Sequence, residues 1–442
     1  MKRPPLVSST SPARRLPLAA ACLVALLAIS LSAAVPTAKP EEVGLSSERL
    51  QRINQLVQRE IDAKSISGAV TIVSRRGRIA HFEAQGLMDI EGNKAMQRDT
   101  VFPIASMSKP ITGVAILMLV EEGKIRLSDP VSRFIPEFRD TQVAIARTSG
   151  RGAGSGAAAA GTGRGQAAPE IYRVPANRAI TVRDLMTHTS GLASGGAGSR
   201  EAGRVALRVA TTNLAEYVPK LGAAPLDFQP GTQWAYSALS GIETLGRIVE
   251  VASGLTFDQL LKQRLFDPLG MKDTTFVPRP DQAPRIVTLY DRSANGLQRQ
   301  DVPAWLATKT LFSGGGGLWS TAEDYLQFGQ MLVQGGELNG KRLLSPRTVT
   351  LMSSNHVGDL FARGGTTGGT NGMGFGLTVD VVLDSVQAGT ARSTGSFGWG
   401  GAFGTNFWVD PKEQIVGVLM VQTPGGPLRA DFQNAVRQAI ID

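Results

Sequence analysis

Cysteine is almost missing from this 442-residue chain: there is one, Cys22, inside an N-terminal apolar run. A lone cysteine forms no intramolecular disulfide, and a thiol nucleophile or cysteine metal site downstream is excluded with it. Histidine is nearly as scarce. His81, His188 and His356 show no His-x-x-x-His or comparable spacing, so neither a zinc centre nor any other metal or cofactor is expected. The formal net charge is +9, yet concentrated basic surface is lacking. Lys2, Arg3, Arg14 and Arg15 precede or border the leader's apolar run, and Arg147, Arg151 and Arg164 fall in or beside a glycine-rich stretch; both regions are free of acids. With those set aside the remainder is close to neutral, and no nucleic-acid partner is indicated. The glycine-rich stretch, about 148–168, has no large apolar residue and none of the lysine and Ser/Thr of a phosphate loop. Such composition does not offset its ordering entropy, and a flexible Gly/Ala-rich surface insertion is expected there. A Gly-x-Ser-x-Gly elbow is also missing, which argues against the α/β-hydrolase route to a serine nucleophile.

What is present begins with a leader. Basic residues precede an apolar run that ends in Ser32-Ala33-Ala34, the pattern of a cleavable signal peptide over 1–34. The mature chain, 35–442, is then expected to be exported, periplasmic or secreted. The run is near bilayer-spanning length, so an uncleaved membrane anchor is the alternative. Oligomeric state is not legible.

Leu50, Ile53, Leu56, Val57 and Ile61 recur at helical spacing behind Ser46 or Ser47 as N-cap. Residues 68–86 read as a hairpin turning near Gly77, with His81 an exposed strand residue. A helix is expected from Ser106 to a stop at Gly123, a short one over 181–191, and others over 258–269 and 320–334. Strands follow at 375–382, 404–409 and 414–421, then a last helix over 428–441. Strands at the ends and helices between predict an α+β fold, in which an antiparallel sheet flanked by helices meets a mainly helical region with the active site in the cleft.

Ser106-Met107-Ser108-Lys109 stands where the apolar approach 101–105 meets a helical run. Residues three apart share a helix face, so the Ser106 hydroxyl and the Lys109 amine can meet. A serine hydroxyl becomes a good nucleophile when a base removes its proton, and an amine does so when neutral. The positive end of a helix and an apolar surround both disfavour the ammonium form. The tetrapeptide is short, however, and a solvated surface lysine would look the same. Tyr236, delivered by the Pro230-Gly231-Thr232 turn just before another helix, is the best second proton handler, although a tyrosine there can equally serve packing. His188, beside Thr187, Thr189 and Ser190, is the one candidate for a Ser-His-Asp arrangement, and a buried structural role suits it better.

In this order, Ser106-x-x-Lys109, Tyr236-Ser237 after Pro-Gly-Thr, and a glycine-rich strand at 397–402, the chain resembles the penicillin-recognising serine hydrolases over about 41–440. Within them it is most similar to the class C β-lactamase-like carboxylesterases, and the β-lactamase/transpeptidase-like fold is implied. The discriminating residues are Phe397-Gly398-Trp399-Gly400-Gly401-Ala402, where lactamases have Lys-Thr-Gly, and Ala238, where the lactamase pattern has asparagine. By the resemblance, Ala238, Trp399, Gly400 and Gly401 bind substrate, Trp399 as an apolar wall without a cation. Ala238 loses the amide that pairs a lactam and contacts the lysine. The backbone N–H groups of Ser106 and Ala402 form the oxyanion hole. The reaction implied is hydrolysis of a neutral, small-molecule carboxylic ester through an acyl-serine, with Ser106, Lys109 and Tyr236 catalytic. An acyltransferase, a β-lactamase or D-amino-acid peptidase, and a non-catalytic envelope binding protein are the alternatives.

Overall fold

A computed structural model describes residues 35–147, 170–207, 211–365 and 368–442, together with Met1 and Pro5. The rest of the expected leader and the expected insertion at 148–168 lie outside the described residues.

Eight strands form one antiparallel sheet: β1 (Gly68–Arg75), β2 (Arg78–Asp89), β3 (Lys94–Ala95), β4 (Met373–Phe375), β5 (Asp380–Val382), β6 (Phe397–Gly400), β7 (Asn406–Asp410) and β8 (Ile415–Val421). Their spatial order is β4-β5-β6-β7-β8-β1-β2-β3, so the first hairpin continues the C-terminal meander through β1 against β8, Val70 opposite Met420. Both faces of the central strands are covered, which is why β8 is apolar throughout rather than alternating. Five helices frame the sheet and site: α1 (Ser47–Asp62), α2 (Ser108–Glu121), α3 (Ser240–Ser253), α4 (Ala322–Val333) and α5 (Leu428–Gln438). Ile415, Leu419 and Val421 join Leu50, Ile53 and Val57 of α1 and Phe432 and Val436 of α5 in one core. Val416, Val418 and Met420 point the other way, into the main core shared with Phe328 and Met331 of α4. That core also takes in α2, whose residues Ser108 to Leu119 are all buried. Burial of this kind contributes about 25 cal/mol per Å² of apolar surface, so α2 is a rigid support.

The local chemistry explains most boundaries. Ser46 caps α1, its hydroxyl accepting from Arg49 N–H at 3.2 Å, and Gly123 (φ +70°) ends the turn after α2 as a glycine stop does. Thr181 and Asp184 form a capping box around the short helix Val182–Met186, which fixes the polar turn behind it. Three expectations are corrected. His81 is buried, its Nε2 2.8 Å from Thr71 Oγ1, because α1 and α5 cover that face of the hairpin. Burial and the Arg98 charge depress its pKa to about 4. The single strand at 375–382 is a tight hairpin, β4 and β5 pairing Phe375 with Asp380 around Thr378 at φ +70°. And Ser106 sits in a 3-10 turn, Ala105–Met107, with α2 proper starting at Ser108.

Candidate active site

The turn bearing Ser106 is held from several sides. Ala105 has φ +44°, a left-handed conformation that costs about 1–3 kcal/mol for a residue with a side chain and persists only where its surroundings impose it. They do: Ile104 N–H donates to Leu318 O (3.0 Å), Leu318 N–H to Ser108 Oγ (3.2 Å), and Tyr325 Oη–H to Met107 O (2.7 Å).

Lys109 is 0% exposed. Its Nζ donates to Ala238 O and Gly315 O, both at 2.6 Å, and lies 3.1 Å from Ser106 Oγ. Carbonyl oxygens only accept. In the neutral amine both hydrogens are therefore taken up by the two carbonyls, and the lone pair is left facing the Ser106 hydroxyl. In the ammonium the third hydrogen occupies that line. Either way the one proton free to move at Nζ is the one shared with Ser106. Ala238 corrects an expectation here: it lacks the amide of the lactamase pattern but still contacts the lysine, through its backbone carbonyl.

Tyr236 Oη is 2.8 Å from Ser106 Oγ, and Lys109 Nζ stands 4.9 Å from the ring centroid. Burial works against ionising this phenol, but the Lys109 charge and the hydrogen bonds around its oxygen outweigh burial and hold its pKa below the ordinary tyrosine value. His188 lies behind the tyrosine, its ring packed on Tyr236, Trp234 and Phe375. Burial, then the Lys109 charge, push its pKa well below the ordinary value, so it is neutral. Its Nδ1 accepts from Ser237 N–H (3.3 Å), which puts its proton on Nε2. The structural reading of His188 is the one the geometry supports.

Ser106, Tyr236, Trp399, Gly400, Gly401 and Ala402 line one cleft of about 620 Å³, the helical region supplying the first two and the sheet the rest. Trp399 packs against Tyr236 (centroids 5.7 Å) and Phe375 (5.3 Å), and Phe361 and Met373 extend the apolar wall. The two glycines differ in purpose. A β-carbon on Gly401 would run into the carbonyl oxygen of Ile104, so this glycine lets the β6 end approach the nucleophile's own turn. On Gly400 it would meet Arg429 Nη1 at 3.2 Å, the end of a flexible side chain.

Arg429, at the start of α5, was not among the residues singled out from sequence. It also lines the cleft, 47% exposed and 3.8 Å from Asp380, whose other oxygen is paired with buried Arg392 at 2.8 Å. One carboxylate thus serves two guanidiniums, and the cleft carries a surplus cation although Trp399 supplies none. Nothing in the local sequence marks it; the fold brings α5 beside β6. Among the described residues no group of His, Cys, Asp and Glu is arranged to hold a metal.

Residues 53–440 match the Beta-lactamase family. Protein Rv1367c of Mycobacterium tuberculosis is 36% identical over 378 residues, 84% of this chain and 89% of its own. Esterase EstB of Burkholderia gladioli is 30% identical over 427 residues, 91% and 97% of the two chains. Among solved structures, EstCE1, described as a hydrolase with promiscuous acyltransferase activity, is similar at TM-score 0.72 and 27% identity, over 88% of this chain and 99% of its own.

Proposed function

The chain belongs to the beta-lactamase family, and on that premise we propose that it is an exported serine hydrolase that cleaves carboxylic esters through an acyl-Ser106 intermediate. The observation that carries this reading is the convergence of Lys109 Nζ (3.1 Å) and Tyr236 Oη (2.8 Å) on Ser106 Oγ. The likeness to Esterase EstB and EstCE1 supports the ester as substrate class, and the basic and apolar leader supports export.

In this mechanism the Lys109–Tyr236 pair takes the proton of Ser106 Oγ as the oxygen bonds to the ester carbonyl carbon. The carbonyl's electron pair moves to its oxygen, which faces the backbone N–H groups of Ser106 and Ala402; one such donor is worth about 3 kcal/mol in the transition state. Collapse breaks the bond to the alcohol oxygen, which leaves with the proton returned by Tyr236. Water then repeats the sequence, giving a proton to the same pair, attacking the acyl carbon and releasing the acid as Ser106 regains its hydrogen. The test is a panel of p-nitrophenyl esters and a chromogenic cephalosporin against wild type and Ser106→Ala. Ester turnover that survives in Ser106→Ala overturns the mechanism, and cephalosporin turnover in preference to esters overturns the substrate class.

One observation favours a second reading, in which the substrate also bears a carboxylate. Arg429 supplies the anchor that the Trp399 strand lacks, as peptidase or lactamase chemistry on this scaffold requires.

A further inference from the structure

The two carbonyls that hold Lys109 belong to segments far apart in the chain. Ala238 O stands just before α3, and Gly315 O lies in the glycine run 314–317. The position of Nζ relative to Ser106 therefore depends on how these two segments are fixed to each other. Among the described residues a side-chain bond joins them: Ser313 Oγ–H donates to Oε1 of Glu243, on the first turn of α3, at 2.6 Å. Both residues are 0% exposed. A buried polar pair of this kind is costly unless satisfied and, once satisfied, allows little play.

The turn it reaches is built to transmit the position. Ser313 O accepts from the N–H groups of Gly316 (3.2 Å) and Gly317 (2.8 Å), closing a tight loop with Gly315 at its tip. On its other side, Thr112 Oγ1–H, from α2, shares its one hydrogen between Gly314 O at 3.0 Å and Ser108 O at 3.1 Å. Thr112 and Lys109 are three apart on α2 and share a face, so α2 grips adjacent carbonyls with adjacent side chains. Space is as tight as bonding. A β-carbon on Gly314 would lie 3.0 Å from the Phe257 ring, and one on Gly315 2.9 Å from Leu239 Cα. The glycine run is thus wedged between the start of α3 and the face of α2 that carries the base.

We propose that Glu243, acting through Ser313, is a positioning residue for the Lys109 base: it sets the distance between the two carbonyl acceptors and so aims Nζ at Ser106 Oγ. The proposal rests on the reading of Ser106 as nucleophile and of Lys109 as its base. A role limited to stability predicts no change in proton transfer, whereas this one does, because transfer from Ser106 Oγ depends on where Nζ stands, and the two acceptors that the bond holds in place fix that position.

The experiment measures the rate at which a fluorophosphonate probe labels Ser106 in the purified full chain, as a function of pH, with melting temperature recorded in parallel. Ser313→Ala is expected to label about 10-fold more slowly near neutrality, with a displaced pH profile, and to keep an ester KM within about two-fold of wild type. Ser313→Thr restores the hydroxyl and is expected to recover both rate and profile. Thr112→Val frees the same turn from the α2 side and is expected to slow labelling in the same direction; it decides the matter if Ser313→Ala does not fold. Wild-type labelling rate and pH profile in a folded Ser313→Ala or Thr112→Val overturn the proposal. So does a Ser313→Thr that folds but stays as slow as the alanine variant. A wild type that takes up no probe overturns the nucleophile reading itself, and this proposal with it.

Discussion

His188 holds Tyr236 from both sides. Its backbone carbonyl accepts from the N–H of Ala235 at 3.1 Å and its ring Nδ1 from the N–H of Ser237 at 3.3 Å, while the two rings pack with centroids 4.8 Å apart. The histidine adopts φ +56° to do this, and Trp234 and Phe375 enclose it. The phenol that meets Ser106 is thus aimed by its neighbours in the chain as much as by its own contacts.

His188→Phe keeps an aromatic ring and loses the Nδ1 acceptor. Ser237 N–H is then buried without a partner, at a cost of about 1–3 kcal/mol. Steady-state kinetics on a p-nitrophenyl ester are expected to show kcat reduced about 10- to 100-fold with KM little changed. An unchanged kcat in a folded variant would show that Tyr236 needs no such clamp.

The depressed pKa of Tyr236 has a sign that can be checked. Burial alone raises it, and the Lys109 charge and hydrogen bonds bring it below its ordinary value. In Lys109→Met the charge is gone and the burial remains, so the phenol is expected to titrate at higher pH than in wild type. Ultraviolet difference titration against Tyr236→Phe isolates the group. The chain has five tyrosines, and burial pushes Tyr325 well up and Tyr290 to about 12, clear of it. A Tyr236 midpoint that stays or falls in Lys109→Met contradicts the electrostatic account.

Gly400 and Gly401 are expected to respond unequally to alanine. Gly401→Ala drives a methyl into the carbonyl of Ile104 and pushes the β6 end away from Ser106; a displacement near 1 Å costs about 100-fold in rate, with about 1–3 kcal/mol of stability. Gly400→Ala meets the tip of Arg429, which can swing aside, and Thr405 O at 3.3 Å, which need give by only a few tenths of an ångström; activity on neutral esters is expected to stay within about three-fold. Kinetics and thermal melts of the two variants, compared side by side, test the assignment.

Arg429→Met separates the two substrate readings. Neutral esters are expected to keep their kcat/KM, whereas esters bearing a carboxylate lose about 10-fold through KM, near the worth of one charge-assisted hydrogen bond. The loss is expected to shrink at high salt, since the guanidinium is half exposed and screened. Equal kcat/KM for paired neutral and anionic esters in wild type and variant removes Arg429 from recognition.

Much of this candidate site is legible in the sequence alone. Ser106 and Lys109 are three apart, and a helical turn brings them together whatever the rest of the chain does. The N-cap at Ser46, the stop at Gly123 and the strand 415–421 are likewise short-range consequences of hydroxyls, glycine and apolar runs. Where β4 and β5 read as one strand, the apolar residues were right and the turn was hidden, because Thr378 takes a left-handed φ that threonine rarely adopts. His81 was misplaced because period-two alternation tells that faces differ, and not which is covered.

By itself the sequence determined the chemistry available: a hydroxyl and an amine on one helical turn, a tyrosine after a Pro-Gly turn, and a strand end of Trp-Gly-Gly. The tertiary structure decided how these are held. Ser106 and Tyr236 are separated by 130 positions, and the groups that grip Lys109 are backbone carbonyls of Ala238 and Gly315, which every residue possesses and no residue type announces. The same holds for Arg429, an ordinary helix-start cation until α5 packs beside β6, and for Gly401, whose missing side chain matters because Ile104 O fills that space. Residue identity specifies which reactive groups exist and which neighbours within a turn can meet. Distances between remote segments follow from packing the cores on both faces of the sheet, and it is those distances that turn a serine and a lysine into a site.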